Sequence, residues 1–160
     1  MKIYKLEREQ TINIPVEISW SFFSNPKNLQ EITPKNLSFN ILSELPKKVY
    51  PGLIILYKLK ILGIFQTNWV TEITQVKDNE FFIDEQRFGP YKFWHHQHIF
   101  INEAGKTRMK DIVHFGLPFG IFGRIGIGFV NNQLEEIFSY RKKKLDDSDF
   151  ITKIIKETKL

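Results

Sequence analysis

His96 and His98 stand two apart in the run Trp94-His95-His96-Gln97-His98. Residues two apart on an extended strand share a face, so this spacing projects two imidazoles side by side. Imidazole titrates near neutral pH and ligates metals through either ring nitrogen. Beside a carboxylate, such a pair has three uses: holding a metal, orienting or protonating a bound substrate, or closing a buried hydrogen-bonded network. Asp111 is the carboxylate on the following extended segment. Glu85 and Arg87, also two apart, lie on the preceding one. Other chemistries are excluded. The chain has no cysteine, so thiolate metal sites, disulfides and cysteine nucleophiles are absent. There is no Gly-x-Ser-x-Gly elbow, and the glycine-rich stretch 116–128 lacks the Gly-Lys-Ser/Thr ending of a phosphate loop.

Whether these side chains meet depends on hairpin register. Reading Gly89-Pro90 as a two-residue connection sets Glu85 opposite Trp94 and Ile83 opposite His96. Reading Asn102 to Gly105 as a four-residue loop sets His96 opposite Asp111 and Trp94 opposite Val113. The expected inner face then carries Phe81, Ile83, Glu85 and Arg87, then Trp94, His96, His98 and Phe100, then Met109, Asp111, Val113 and Phe115. Asp84, Gln86, His95, Gln97, Arg108 and Lys110 fall on the opposite, solvent-facing side. Buried charges must be paired. The plainest reading is therefore a network of His96 with Asp111 and Arg87 with Glu85. Metal ligation is the least favoured, and the expectation is a protein without metal or cofactor.

The elements that must position these groups follow from periodicity. Residues 4–14 alternate as a first strand. Pro15 opens a short helix through Phe23, with Trp20 as its packing anchor, and Asn25-Pro26 ends it. Residues 27–32 form a second short helix. Strands are expected over 37–45, 53–62 (with Gly63 as a hinge), 65–76, 80–88, 91–101 and 107–115. Short connections make them antiparallel. Ile127, Val130, Leu134, Ile137, Phe138 and Leu145 recur along one face of a long helix. The glycine-rich stretch before it reads as a tight passage, with Phe119 and Phe122 as a lid over the hollow or a staple of the passage. The expectation is an α+β fold, a curved sheet of about seven strands wrapped around a C-terminal helix. Residues 1–145 form one domain and 146–160 a tail, either a docked helix or a frayed end.

The 15 Phe, 5 Tyr and 3 Trp are unusual in 160 residues and suit an apolar pocket as well as a core. The net charge of +5 is concentrated in Arg141, Lys142, Lys143 and Lys144. These read as a solvated helix end placed against the helix dipole, with weak contact to an anionic membrane surface as the sharper alternative. No nucleic-acid motif accompanies the charge. Met1 to Gln10 lacks the apolar run of a secretory signal, and no segment has the uninterrupted apolar length of a spanning helix. A cytoplasmic location is expected.

The element order and the run Asp84 to His98 resemble the START-related helix-grip superfamily of polyketide cyclases, dehydratases and lipid-transfer proteins. Gly116-Leu117-Pro118-Phe119-Gly120 and the segment Gln133 to Arg141 are similar to a bacterial branch labelled ligand-binding or cell-division-inhibitor-like. The resemblance spans roughly residues 5–145 and implies a cavity between sheet and helix for an apolar molecule. It transfers no catalytic residue. The residues expected to touch ligand are Trp69, Phe81, Ile83, Glu85, Arg87, Trp94, His96, His98, Met109, Asp111, Val113, Val130 and Leu134. A carrier of a lipid, isoprenoid or polyketide-like molecule is the first expectation. A cyclase or dehydratase using His96, His98 and Asp111 is the second, and an interaction module with a solid core the third.

Overall fold

The computed structural model describes residues 1–37, 40–61, 65–118 and 126–158, with the side chains of Ile61 and Phe65 excepted. Seven antiparallel strands form one sheet in the order β1-β7-β6-β5-β4-β3-β2. They are β1 (Tyr4–Ile12), β2 (Asn40–Ile41), β3 (Leu53–Ile61), β4 (Phe65–Lys77), β5 (Phe81–Phe88), β6 (Phe93–Glu103) and β7 (Lys106–Gly116). Helix α1 (Val16–Phe23) and two 3-10 turns, Pro26–Ile32 and Lys35–Leu37, follow β1. Helices α2 (Ile127–Asp146) and α3 (Ser148–Thr158) close the chain.

The sequence-expected strand 37–45 shrinks to Asn40–Ile41 among the described residues. Leu37 instead ends a 3-10 turn after Pro34, and Pro46 bars extension on the other side. The second short helix is also 3-10, with Asn25 accepting from the Lys27 amide to start it. The proposed hinge at Gly63 and the lid residues Phe119 and Phe122 lie outside the described residues.

Both hairpins differ from the expected register, with opposite consequences. Between β6 and β7 the connection is only Ala104-Gly105, both at positive φ (48° and 82°), as a tight two-residue turn requires. Pairing moves by two: His96 faces Val113 and His98 faces Asp111. A two-residue shift leaves each side chain on its own face. Between β5 and β6 the pairing moves by one, so that Asp84 faces His96 and Phe82 faces His98. The reason lies in Gln86. Its side chain donates to the Tyr91 carbonyl (2.6 Å) and accepts the Tyr91 amide (3.2 Å), holding a wider loop open where a tight turn was expected. The odd shift turns β5 over. Phe82 and Asp84 face inward, while Phe81, Ile83, Glu85 and Arg87 do not.

The apolar core forms two clusters. One gathers α1, α3 and the outer ends of the strands around Trp20, Ile55, Phe100 and Met109. The other joins Trp94, Val113 and Phe115 to Leu134 and Phe138 of α2. Helix α2 buries Leu134, Phe138, Arg141 and Leu145, spaced four, three and four. It is fastened to the edge strand by polar groups on the inner face of β1: Gln10 donates to the Lys142 carbonyl (3.0 Å) and to Asp146 (2.9 Å), and Arg8 pairs with Glu135. The segment after Leu145 is a docked helix. Phe150 and Ile154 of α3 enter the core beside α1, Phe150 edge-on to Phe22 at 5.8 Å. Ile154 is 1% exposed. Ile154→Ala is expected to cost about 2–5 kcal/mol, read as a lowered urea midpoint with an unchanged slope; a loss below about 0.5 kcal/mol would mean α3 is peripheral.

Candidate functional site

A cavity of about 520 Å³ lies between the sheet and α2. Tyr57, Trp69, Phe82 and Trp94 line its sheet side, Val130, Leu134 and Phe138 its helix side, and Phe23 and Leu29 one end. A hollow is therefore present among the described residues. Its ionisable wall groups include Asp84, His96, His98 and Arg141, and Asn28, Thr33, Thr71 and Gln133 add uncharged polar ones.

Two imidazoles and two carboxylates interlock there. His96 Nε2 lies 2.9 Å from Asp111 Oδ1, and His98 Nε2 lies 2.7 Å from Asp84 Oδ2. The two remaining ring nitrogens face the opposite carboxylates: His96 Nδ1 is 3.4 Å from Asp84 Oδ2, and His98 Nδ1 is 3.1 Å from Asp111 Oδ1 but off hydrogen-bond geometry. The rings themselves are 3.7 Å apart. Phe82 stacks on His98 at 4.1 Å and 18°, and Phe138 meets His96 edge-on at 6.0 Å. The Trp94 indole donates to Asp84 Oδ1 (3.0 Å), leaving Oδ2 to the histidines. Arg141 reaches down from α2, its Nη1 3.5 Å from Asp111 Oδ1. Along β6 and β7 this layer separates the two apolar clusters, with Phe100 and Met109 on one side and Trp94 and Val113 on the other.

Burial alone would raise both carboxyls, but the imidazoles outweigh it. Asp111 is held well below the carboxylate range by the hydrogen bond from His96, the adjoining His98 ring and the Arg141 charge. Asp84 is lowered by the charges of both histidines and the hydrogen bonds from His98 and Trp94. Burial and the neighbouring His98 lower His96, against the pull of Asp111. His98 goes up: the adjoining Asp111 carboxylate and its hydrogen bond to Asp84 overcome desolvation. Two carboxylates thus face two imidazoles and the Arg141 guanidinium in one buried layer. Asp84, His96 and His98 also offer one donor atom each within 4.8 Å of one another, a grouping able to hold a metal ion.

The sequence-predicted residues divide into three groups. Trp69, Trp94, His96, His98, Val130 and Leu134 line the cavity. Met109, Asp111 and Val113 point inward but lie packed beneath it. Phe81, Ile83, Glu85 and Arg87 stand on the other face of β5, the last two in a surface network with Glu72. Two site residues were missed. Asp84 was assigned to solvent, and only the hairpin register reveals otherwise. Arg141 was assigned to the solvated basic helix end. It is 6% exposed, whereas Lys142 and Lys143 are exposed. Its spacing of three from Phe138 and four from Leu145, on the apolar face, was the available signal.

No protein-family model matches the chain, and no curated protein matches it by sequence. Solved structures do match. A START superfamily protein from Mycobacterium smegmatis aligns over 89% of this chain and 97% of its own, with a TM-score of 0.67 at 10% identity. The chain has the START-type helix-grip fold. Other helix-grip structures that match are the Zhui aromatase/cyclase from Streptomyces sp. R1128 (99% and 94% covered, TM-score 0.61, 13% identity) and the truncated norcoclaurine synthase from Thalictrum flavum (91% and 95%, 0.65, 11%). Among the described residues no helix of this helix-grip chain is long and apolar enough to cross a membrane.

Two predictions test the polar layer. Asp111→Asn removes the negative charge that Arg141 and the two imidazoles face, so it should cost about 3–5 kcal/mol in urea unfolding; Asp111→Asn at parental stability would mean that the layer carries no such load. The second concerns pH, measured with a chelator present. His98, raised from 6.5, stabilises fully below that value and loses its contribution as pH climbs through its folded pKa. For His96, lowered from 6.5, the unfolded chain takes up the proton first, so stability falls as pH drops below 6.5. Stability should peak near neutrality, and His98→Asn should flatten the alkaline decline; an unchanged alkaline limb would refute the assignment.

Proposed function

We propose that the protein binds an apolar small molecule of lipid, isoprenoid or polyketide type in the cavity between sheet and helix α2. One observation carries this reading: a hollow of about 520 Å³, walled largely by aromatic and aliphatic side chains, with a minority of polar groups among them. Small-molecule sites are concave and apolar, with a few placed polar groups that fix orientation, and typically measure roughly 300–1,000 Å³. Burying a ligand there contributes about 25 cal/mol per Å² of apolar area before ordering costs. The names of two structural neighbours, an aromatase/cyclase and norcoclaurine synthase, accord with a cavity that takes ring-bearing molecules.

A second reading has its own support. His96 and His98 line the hollow within reach of carboxylates, so a bound substrate could exchange a proton with them in a cyclase or dehydratase-type reaction. His98→Asn separates the two readings once a ligand is in hand. A carrier shows changed affinity and no turnover in the parent, whereas an enzyme shows parental turnover that the variant loses.

The primary test is native mass spectrometry with solvent extraction of the purified chain, backed by titration with an environment-sensitive fluorescent lipid. The expected result is one apolar molecule per chain. Leu134→Trp, which places a larger side chain at the cavity wall, should weaken binding at least tenfold with the fold retained by circular dichroism. Probe affinity unaffected by Leu134→Trp would place the ligand elsewhere and overturn the proposal.

A further inference from the structure

We propose that Asp84, His96 and His98 form a divalent metal site whose open position faces the cavity. This departs from the metal-free expectation of the sequence. It also stands apart from the apolar-ligand reading, because it rests on donor geometry alone. Three donor groups converge: Asp84, His96 and His98 each offer one ligand atom within 4.8 Å of the others. Asp84 Oδ2 is 2.7 Å from His98 Nε2 and 3.4 Å from His96 Nδ1. Ligand atoms bound at ~2.0–2.1 Å to an ion lie roughly 2.9–3.4 Å apart at octahedral or tetrahedral angles, so the Asp84–His96 separation fits and the Asp84–His98 pair must open to admit an ion.

The surroundings match what a metal demands. Ligating histidines characteristically direct their far nitrogen at a carboxylate, which fixes the ring. Here one carboxylate serves both rings: Asp111 Oδ1 sits 2.9 Å from His96 Nε2 and 3.1 Å from His98 Nδ1. The Trp94 indole occupies Asp84 Oδ1 and turns Oδ2 toward the histidines. Phe82 stacked on His98 and Phe138 against His96 fix the ring planes. Two imidazoles and one carboxylate suit a first-row transition ion such as zinc, cobalt or iron(II), and not magnesium or calcium, which take oxygen donors. All three residues line the cavity, so the remaining coordination position is open to a water or an oxygen of a bound molecule.

The test uses the full, untagged chain stripped with a chelator. Cobalt(II) is followed by its visible d–d bands and zinc by calorimetry, with zinc binding also read as a rise in Tm. The competing site is the outer pair His95 and His114, matched across β6 and β7 with rings 6.2 Å apart. The expected result is one equivalent of metal, bands abolished by Asp84→Asn, affinity reduced about 10–100-fold by Asp111→Asn, and no change in His114→Ala. Because Asp84→Asn could unfold the core, zinc-soaked crystals of the parent give a second readout, an anomalous peak between Asp84, His96 and His98. No uptake by the parent, uptake abolished by His114→Ala, or an anomalous peak elsewhere overturns the proposal.

Discussion

Two carboxylates stand inside an aromatic core, and the rest of the interior is arranged around keeping them charged. An unpaired buried carboxylate would take up a proton or unfold the region. Asp84 and Asp111 are instead matched by two imidazoles from β6 and a guanidinium from α2. Three strands and the long helix therefore have to agree in register for any one of these groups to be satisfied.

The same arrangement leaves a hollow. The long helix is tied to the sheet at one edge, by Gln10 and Arg8 of β1, and at its C-terminal half by Arg141 and Leu145. Its N-terminal half, around Val130 and Leu134, borders the cavity. Aromatic side chains of β4, β6 and the loop before β6 pack edge-on or tilted, Trp69 against Trp94 at 5.1 Å and 88° and Tyr91 against Trp94 at 4.9 Å and 43°, and line the space. A polar floor beneath an apolar room follows from these two facts together, and both the proposed ligand and the proposed ion depend on it.

Much of this architecture was legible from local pattern. Alternation located six of the seven strands closely, and apolar spacing located α2, because those signals are written within a few residues of one another. Val130 and Leu134 were placed at the cavity for the same reason. Where the pattern was ambiguous, hairpin geometry decided. A turn two residues shorter than expected moved the β6–β7 pairs but left Met109, Asp111 and Val113 facing inward. A connection altered by one residue inverted β5, exchanged Asp84 for Glu85 on the inner wall, and carried Arg87 to the surface.

By itself the sequence determined the strand and helix order, the curved-sheet fold and the inward direction of His96 and His98, since period and turn chemistry are properties of neighbouring residues. Only the tertiary structure decided that Asp84 belongs with them and that Arg141 leaves its basic neighbours to enter the core. The Gln86 side chain sets the first, and the docking of α2 against β7 sets the second. Both are contacts between groups whose mutual position exists only once the chain has folded.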